Sequence, residues 1–264
     1  MKILVTGPRG FVGARIMAEL RDAIPAPSLR GANEEAINRL IDDTAPDVII
    51  HTAAISDIST CEKHPDESHR ANVEIPVWLA GTGVKLIAFS TDQVYSGCED
   101  EGPYAEENVS PANLYARHKL EMERRVLEAN PSAVLLRATW MYDMPMYGLP
   151  NRGNFLVNML RGREIAFSST QHRAVTYVRE VARHIVDAAS LPGGVYNYGS
   201  ENDLTMLDTA RWLRETLSLR VVLHDAGARH NLWMDCAKAA ANGIRFNNTV
   251  DGLKACIADY GLGE

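Results

Sequence analysis

Gly7-Pro8-Arg9-Gly10-Phe11-Val12-Gly13 stands between a short β-branched run, Lys2 to Thr6, and a helical pattern that continues from Phe11 to about Arg21. Few folds accommodate that order. A short apolar run without alternation, ended by glycine, reads as a buried parallel strand. Glycines at 7, 10 and 13 permit a tight turn, then close backbone approach, then close helix–strand packing. The N-terminus of the helix that follows aims backbone N–H groups where a pyrophosphate would lie. Three glycines alone could be a ligand-free turn. After a strand and before a helix they assign Gly7, Arg9, Gly10, Phe11, Val12 and Gly13 to dinucleotide binding.

The next stretch departs from the usual pattern. Ile24-Pro25-Ala26-Pro27-Ser28-Leu29-Arg30 occupies the place of a second strand ending in an acidic residue for the adenosine ribose. Two prolines weaken a strand here, and no carboxylate lies between Asp22 and Glu34. Arg30 stands there instead, either as a solvated surface arginine or as the acceptor of a 2′-phosphate; the second reading favours NADP(H) over NAD(H). Asn33 caps a helix to Asp43 with Ala36, Ile37, Leu40 and Ile41 on one face. Asp47 to His51 is the next buried strand. Thr52, Ala53 and Ala54 leave it at the C-terminal edge of the sheet, where small residues let a cofactor lie close, and Ser56, Asp57 and Ile58 extend the same loop. Asn72 falls in a helical region, where an exposed or capping amide is the plain alternative to a cofactor contact.

The chemistry gathers at Ser90-Thr91-Asp92-Gln93-Val94-Tyr95, delivered by a strand from Val84 to Phe89, and at Tyr115-Ala116-Arg117-His118-Lys119, on a helix starting near Asn113. Tyr115 and Lys119 lie one turn apart on one helical face. A free tyrosine, with a pKa of about 10, is a poor base at neutral pH; a nearby ammonium favours the phenolate, and bringing it near 7 takes roughly 4 kcal/mol. Thr91 or Ser90 can hold a substrate oxygen within reach of the phenol. In the reductive direction Tyr115 protonates the developing alkoxide.

These residues resemble a known family. Gly7-x-x-Gly10-x-x-Gly13, Pro46 to Ala54, Glu62-x-x-Pro65, Asn72, Ser90-Thr91-Asp92-x-Val94-Tyr95-x-Gly97, Tyr115-x-x-x-Lys119 and Leu136-Arg137-x-x-Trp140-x-Tyr142 are similar to the extended short-chain dehydrogenases/reductases, and within them to the dTDP-4-dehydrorhamnose reductases. The resemblance covers roughly the first 145 residues and continues more thinly to Lys238. It implies Thr91, Tyr115 and Lys119 as the catalytic set, with Ser90, Asn72 and Lys119 on the cofactor side, Lys119 reaching the nicotinamide ribose. It implies that Asp92 and Gln93 face the sugar, although the family usually has an aromatic at Gln93, and that Ser56, Ile58 and Trp140 line the hexose site.

In the second half, Ala133 to Ala138 is a strand, after which the chain leaves the nucleotide domain. Met141 to Asn151 reads as a mobile loop whose three methionines are lid packing or substrate contacts. Asn154 to Leu160 is a helix and Arg163 to Ser168 a strand. Gln171 to Val178 leads into a helix ending near Ala189, and Gly194 to Gly199 is a last short strand. The resemblance places a glycine and a proline where Arg173 and Val175 stand; Arg173 pairs either with a substrate phosphate or with the acidic surface. Thr205 caps a helix with Leu207, Ala210, Trp212 and Leu213 as its buried face. The resemblance also makes Arg229 a second diphosphate contact, with His230 in place of a proline and Ala237 of a serine.

The expected architecture is α/β: a Rossmann-type doubly wound parallel sheet (residues 1–139 and 176–199) with a smaller C-terminal substrate-binding lobe (140–175 and 200–264). At 264 residues, 46% hydrophobic and 23% charged, the chain has ample core. A net charge of −7 without a basic block argues against nucleic acid. Cys61, Cys98, Cys236 and Cys256 form no Cys-x-x-Cys or Cys/His cluster, so reduced, buried thiols and no metal are expected. The N-terminal apolar run is too short for a signal peptide or membrane span, and a cytoplasmic protein is expected. The leading expectation is an NAD(P)H-dependent reductase of a nucleotide-linked 4-keto-6-deoxy sugar, with a homodimer as candidate assembly. The alternatives are an NAD-dependent epimerase or dehydratase, opposed by the single carboxylate of Asp92-Gln93, and a non-catalytic NADP-binding regulatory subunit.

Overall fold

The N-terminal apolar run forms β1 (Ile3–Thr6), buried at every position. The computed structural model describes residues 1–145, 148–151 and 153–262. α1 (Phe11–Glu19), β2 (Ile24–Pro25), α2 (Glu34–Thr44), β3 (Val48–His51), α3 (Ile58–Lys63), α4 (Pro65–His69), α5 (Ile75–Gly81) and β4 (Lys85–Thr91) follow. α6 (Leu114–Ala129) precedes β5 (Val134–Ala138) and β6 (Trp140–Tyr142). Then come α7 (Phe155–Arg161), β7 (Glu164–Phe167), β8 (Val175–Tyr177), α8 (Val178–His184) and β9 (Gly194–Tyr198). α9 (Met206–Thr216), β10 (Val222–Asp225), α10 (Ala237–Ala241) and α11 (Thr249–Asp259) complete the order.

Six parallel strands form one sheet in the order β2-β1-β3-β4-β5-β9. The side-chain period of two sorts their residues into two layers. Ile3, Val5, Ile50, Ile87 and Leu136 pack toward α1 and α8, whereas Leu4, Ile49, Leu86 and Leu135 pack toward α2, α5 and α6. With both faces covered the strands lack polar alternation, as a doubly wound sheet requires. Asn33, Asn113, Asn154, Thr205 and Asn248 each cap a helix by accepting a backbone N–H three residues on.

A third core, built from Tyr142, Phe155, Val175, Tyr177, Leu213 and Leu253, sits beneath two small parallel pairs, β6 with β8 and β7 with β10. β9 is therefore not the last strand. β10 eluded the pattern because this ribbon is half solvated, and Val222 is 48% exposed. The helix expected to end near Ala189 stops at His184, and a 3-10 turn covers Asp187–Ser190. Ile185, Ala188 and Leu191 are all buried at intervals of three, the period of that tighter turn, and Leu191 precedes a proline, which disfavours continued helix. The Met141–Asn151 stretch opens as β6 rather than as loop; Met146 lies outside the described residues. Cys98 is only partly buried, unlike the other three free thiols.

Candidate active site

The sheet reverses its winding between β1 and β3, and open α/β sheets bind ligands at the carboxyl ends of such neighbouring strands. Here the glycine loop crosses the end of β3. Gly7 has φ +68°, and a Cβ there would lie 2.8 Å from the Ala53 nitrogen. A Cβ on Gly13 would lie 2.2 Å from the Gly7 carbonyl and 2.7 Å from the Thr52 hydroxyl. Thr52 donates to the Thr6 carbonyl at 2.7 Å, holding β3 against β1. Gly10 caps α1 with no side chain, so the first-turn N–H groups gain no partner from their own cap. Phe11 and Val12 are half-buried on that first turn, and Arg9 is exposed beside it. A loop with no room for side chains and a helix with open donors fits a pyrophosphate.

Arg30 follows β2 in an exposed turn and enters no ion pair among the described residues. Asn72, by contrast, is fully buried in a π-helical segment, Arg70–Glu74. Pro76 explains the widened turn, because its ring crowds the carbonyl four residues back and it has no N–H to donate. The Asn72 amide accepts from Ile55 N at 3.2 Å and donates to Ile55 O at 2.9 Å. Asn72 thus shapes the Thr52–Ser56 loop, and its exposed-amide alternative is ruled out. Ala54 and Ser56 lie exposed along that loop, and Ile58, which opens α3, is 37% exposed, one of few large apolar residues so solvated among the described residues.

β4 ends in Ser90 and Thr91, both buried, and the two hydroxyls differ. Ser90 donates to Glu123 Oε1 on α6. Glu123 is the buried partner of Arg137, which reaches it through Nε (2.9 Å) and Nη2 (2.6 Å). Arg137 Nη1 continues to the Tyr95 hydroxyl, which donates to Asn197. Ser90 therefore belongs to a structural network that ties α6 to β4, β5 and β9, and Thr91 is left as the strand-end hydroxyl. Thr91 Oγ1 accepts the Gln93 N–H and so caps the 3-10 turn Asp92–Tyr95.

Tyr115 and Lys119 lie buried on α6, which Asn113 caps and Glu62 anchors by accepting the Leu114 N–H at 2.8 Å. Lys119 Nζ donates to the Phe89 carbonyl at 2.8 Å. Burial pulls its ammonium down to about 8, against the attraction of Glu123. At neutral pH it remains the buried cation that a phenolate at Tyr115 needs. His51, fully buried at the end of β3, is held down to about 3 by burial and by Lys119, so it is neutral and adds no competing charge.

Beyond Thr91, Asp92 is buried and paired with Arg173 through both carboxylate oxygens. Burial raises the Asp92 carboxyl while Arg173 opposes that rise. Arg173 thus pairs with neither the acidic surface nor any other described carboxylate: its partner is the carboxylate next to Thr91. The Arg173 guanidinium lies 5.6 Å from the Trp140 ring centroid. Gln93 Oε1 accepts from Asn113 Nδ2 at 3.3 Å. Arg229 is exposed, and with Arg173 it depresses the His230 imidazole, whose largest depressant is burial; Arg229, Arg173 and His230 thus share one rim. Residue patterns did not single out the Arg15–Asp143 ion pair, which is buried and joined by the Tyr260 hydroxyl. The available signal was an arginine on the apolar stripe of α1, since a buried charge must be paired. No group of three or more His, Cys, Asp or Glu among the described residues could hold a metal.

Known proteins extend these observations. A dTDP-4-dehydrorhamnose reductase of Sinorhizobium fredii is 33% identical over 171 residues, 61% of this chain and just over half (55%) of that protein's length. The methionine adenosyltransferase 2 subunit beta of Rattus norvegicus is 33% identical over 286 aligned positions, covering 92% of this chain and 83% of its own. The crystal structure of dTDP-4-dehydrorhamnose reductase from Bacillus anthracis in complex with NADP superposes with a TM-score of 0.85 at 22% identity, over 98% of this chain and 99% of that one. A family model described as the RmlD substrate binding domain matches residues 1–225, and the chain belongs to that family.

Proposed function

We propose that this protein is an NADPH-dependent reductase of a nucleotide-linked 4-keto-6-deoxy sugar. The observation that carries the reading is the buried Lys119 ammonium bonded to the Phe89 carbonyl near the carboxyl end of β4, with Tyr115 one turn away on α6 and Thr91 at the strand's last position. Gly7, Gly10, Gly13 and the first turn of α1 would hold the pyrophosphate, Arg30 the 2′-phosphate, and Lys119 the nicotinamide ribose. NADPH, when bound, supplies the hydride. Thr91 orients the carbonyl oxygen, Tyr115 delivers its phenolic proton to that oxygen as it gains charge, and the Lys119 cation steadies the phenolate left behind. Ser56, Ile58, Gln93 and Trp140 would contact the sugar and Arg229 the diphosphate. Residues 1–139 and 176–199 would form the cofactor part, and residues 140–175 and 200–264 the substrate lobe. No described helix is long and apolar enough to cross a membrane; a cytoplasmic homodimer is the assembly we favour.

A second reading has one specific support. The rat relative, named as a subunit, matches far more of this chain than the Sinorhizobium reductase does. A non-catalytic NADP-binding subunit would keep the cofactor loop without turnover. An epimerase or dehydratase is disfavoured because Asp92 is the only carboxylate directly after Thr91 and is already paired with Arg173.

Titration with NADPH and NADH, followed by NADPH oxidation against a panel of dTDP- and UDP-linked 4-keto sugars, separates these readings. Tyr115→Phe is expected to lower kcat by roughly 10²–10⁴-fold with NADPH affinity nearly unchanged, the usual size of a lost general acid. Tight NADPH binding without turnover of any sugar would favour the subunit reading, and unchanged turnover in Tyr115→Phe would defeat the mechanism.

A further inference from the structure

We infer that the Asp92–Arg173 ion pair sets the charge selectivity of the sugar pocket, admitting an uncharged hexose and rejecting a nucleotide-linked uronic acid. The inference rests on the nucleotide-sugar reading above.

Asp92 follows Thr91 directly and its Oδ1 accepts from the Thr91 hydroxyl at 3.4 Å, so a group bound at that hydroxyl lies next to the ion pair. Its side chain is 2% exposed, and that of Arg173 is 20% exposed. Nε donates to Oδ2 at 2.9 Å and Nη2 to Oδ1 at 3.3 Å, which engages both carboxylate oxygens and two of the three guanidinium nitrogens. Nη1 donates to no acceptor among the described residues and is the donor left for a ligand. The arginine is preorganised from behind: its carbonyl accepts from the buried Asn202 amide at 3.0 Å, its backbone bridges to Leu232, and its guanidinium stands over Trp140.

A pocket wall built this way carries a cation and an anion that cancel. A sugar hydroxyl can accept from Nη1 and donate to a remaining lone pair of Asp92, satisfying both. A sugar carboxylate can only accept, and would sit against the buried Asp92 anion while competing with it for the same guanidinium. His230, which feels both Arg173 and Asp92, is held toward its neutral form, chiefly by burial, and supplies no offsetting charge. Arg229 is exposed on the same rim. Arg173 and Asp92 are thus specificity-determining residues that act through their mutual charge balance.

The test compares binding of a matched pair, UDP-glucose and UDP-glucuronic acid (or their dTDP counterparts), to the NADPH-loaded protein by calorimetry. These differ at one carbon, CH₂OH against carboxylate. The wild type is expected to prefer the hexose by roughly tenfold or more, in line with like-charge juxtaposition at a buried site. Asp92→Asn leaves Arg173 uncompensated and shifts the ratio at least about tenfold toward the uronic acid. Adding Arg173→Gln to Asp92→Asn abolishes that gain. Arg173→Gln alone, measured at a pH where the unpaired Asp92 is ionised, widens the preference for the hexose, and this variant decides the matter where Asp92→Asn does not fold. A ratio unchanged across these variants, or a wild type that prefers the uronic acid, overturns the inference while leaving the nucleotide-sugar reading intact. NADPH binding with no binding of either sugar nucleotide overturns both.

Discussion

Replacing Lys119 with methionine should make the protein more stable at neutral pH while removing its activity. Lys119 is 2% exposed, and burial lowers its ammonium from 10.5 to about 8. A fall of about 2.5 units corresponds to about 3 kcal/mol of unfavourable burial of the charged form, at about 1.4 kcal/mol per unit. Methionine retains the unbranched stem but forfeits the bond to the Phe89 carbonyl, a loss of about 1 kcal/mol. The net gain is about 2 kcal/mol, and for a chain of this length it corresponds to a Tm rise of about 4–8 °C. The pH dependence carries the stronger test. Between pH 8 and 10.5 the unfolded chain holds more protons at residue 119 than the folded chain does. The stability of the wild type therefore rises with pH through that window. Urea unfolding at pH 7 and pH 10 should show the advantage of Lys119→Met at the lower pH and its disappearance at the higher. A variant no more stable than wild type at pH 7, or a difference that does not narrow with pH, would refute the reasoning.

His51 predicts the opposite flank of the stability profile: with its imidazole held down to about 3, the folded chain loses stability as pH falls below about 6.5, by up to about 1.4 kcal/mol per unit from this group. His51→Asn should flatten acid unfolding by one proton, read from the pH dependence of the urea midpoint. Gly13→Ala drives a Cβ into the Gly7 carbonyl and should cost about 1–3 kcal/mol in overpacking while abolishing NADPH binding, measured by melting and fluorescence titration. Glu123→Leu strands the buried Arg137 and should cost about 3–5 kcal/mol in denaturant unfolding; a loss below about 1 kcal/mol would show that the network is not holding α6.

Local physics made much of this molecule readable in advance. The glycine loop, the buried strands, the Tyr115–Lys119 face and the caps at Asn33 and Thr205 each depend on residues within about five positions of one another, where turn sterics, period and capping act. The bond from Ser90 to Glu123 was not legible, because Glu123 lies 33 positions away on another element. Arg173 kept two open meanings because its partner is 81 positions away, and Arg15–Asp143 spans 128. Asn72 was legible as helical, but its full burial depends on the loop it holds. β10 failed for a different reason: a two-stranded ribbon with solvent on one side needs neither a continuous apolar run nor strict alternation.

The brevity of β2 has a bearing on how copies of this protein can meet. A sheet margin with free N–H and C=O groups is a template for intermolecular strand pairing. On one margin β2 offers only two residues, and Pro25 has no N–H to donate. On the other, the outer groups of β9 are already bound by side chains: Lys238 Nζ donates to the Val195 carbonyl at 2.8 Å, and Glu106 accepts the Asn197 N–H at 2.9 Å. Both margins therefore oppose extension by a neighbour's strand, which favours self-association through helical or lobe surfaces and disfavours strand-exchange aggregation of the central sheet.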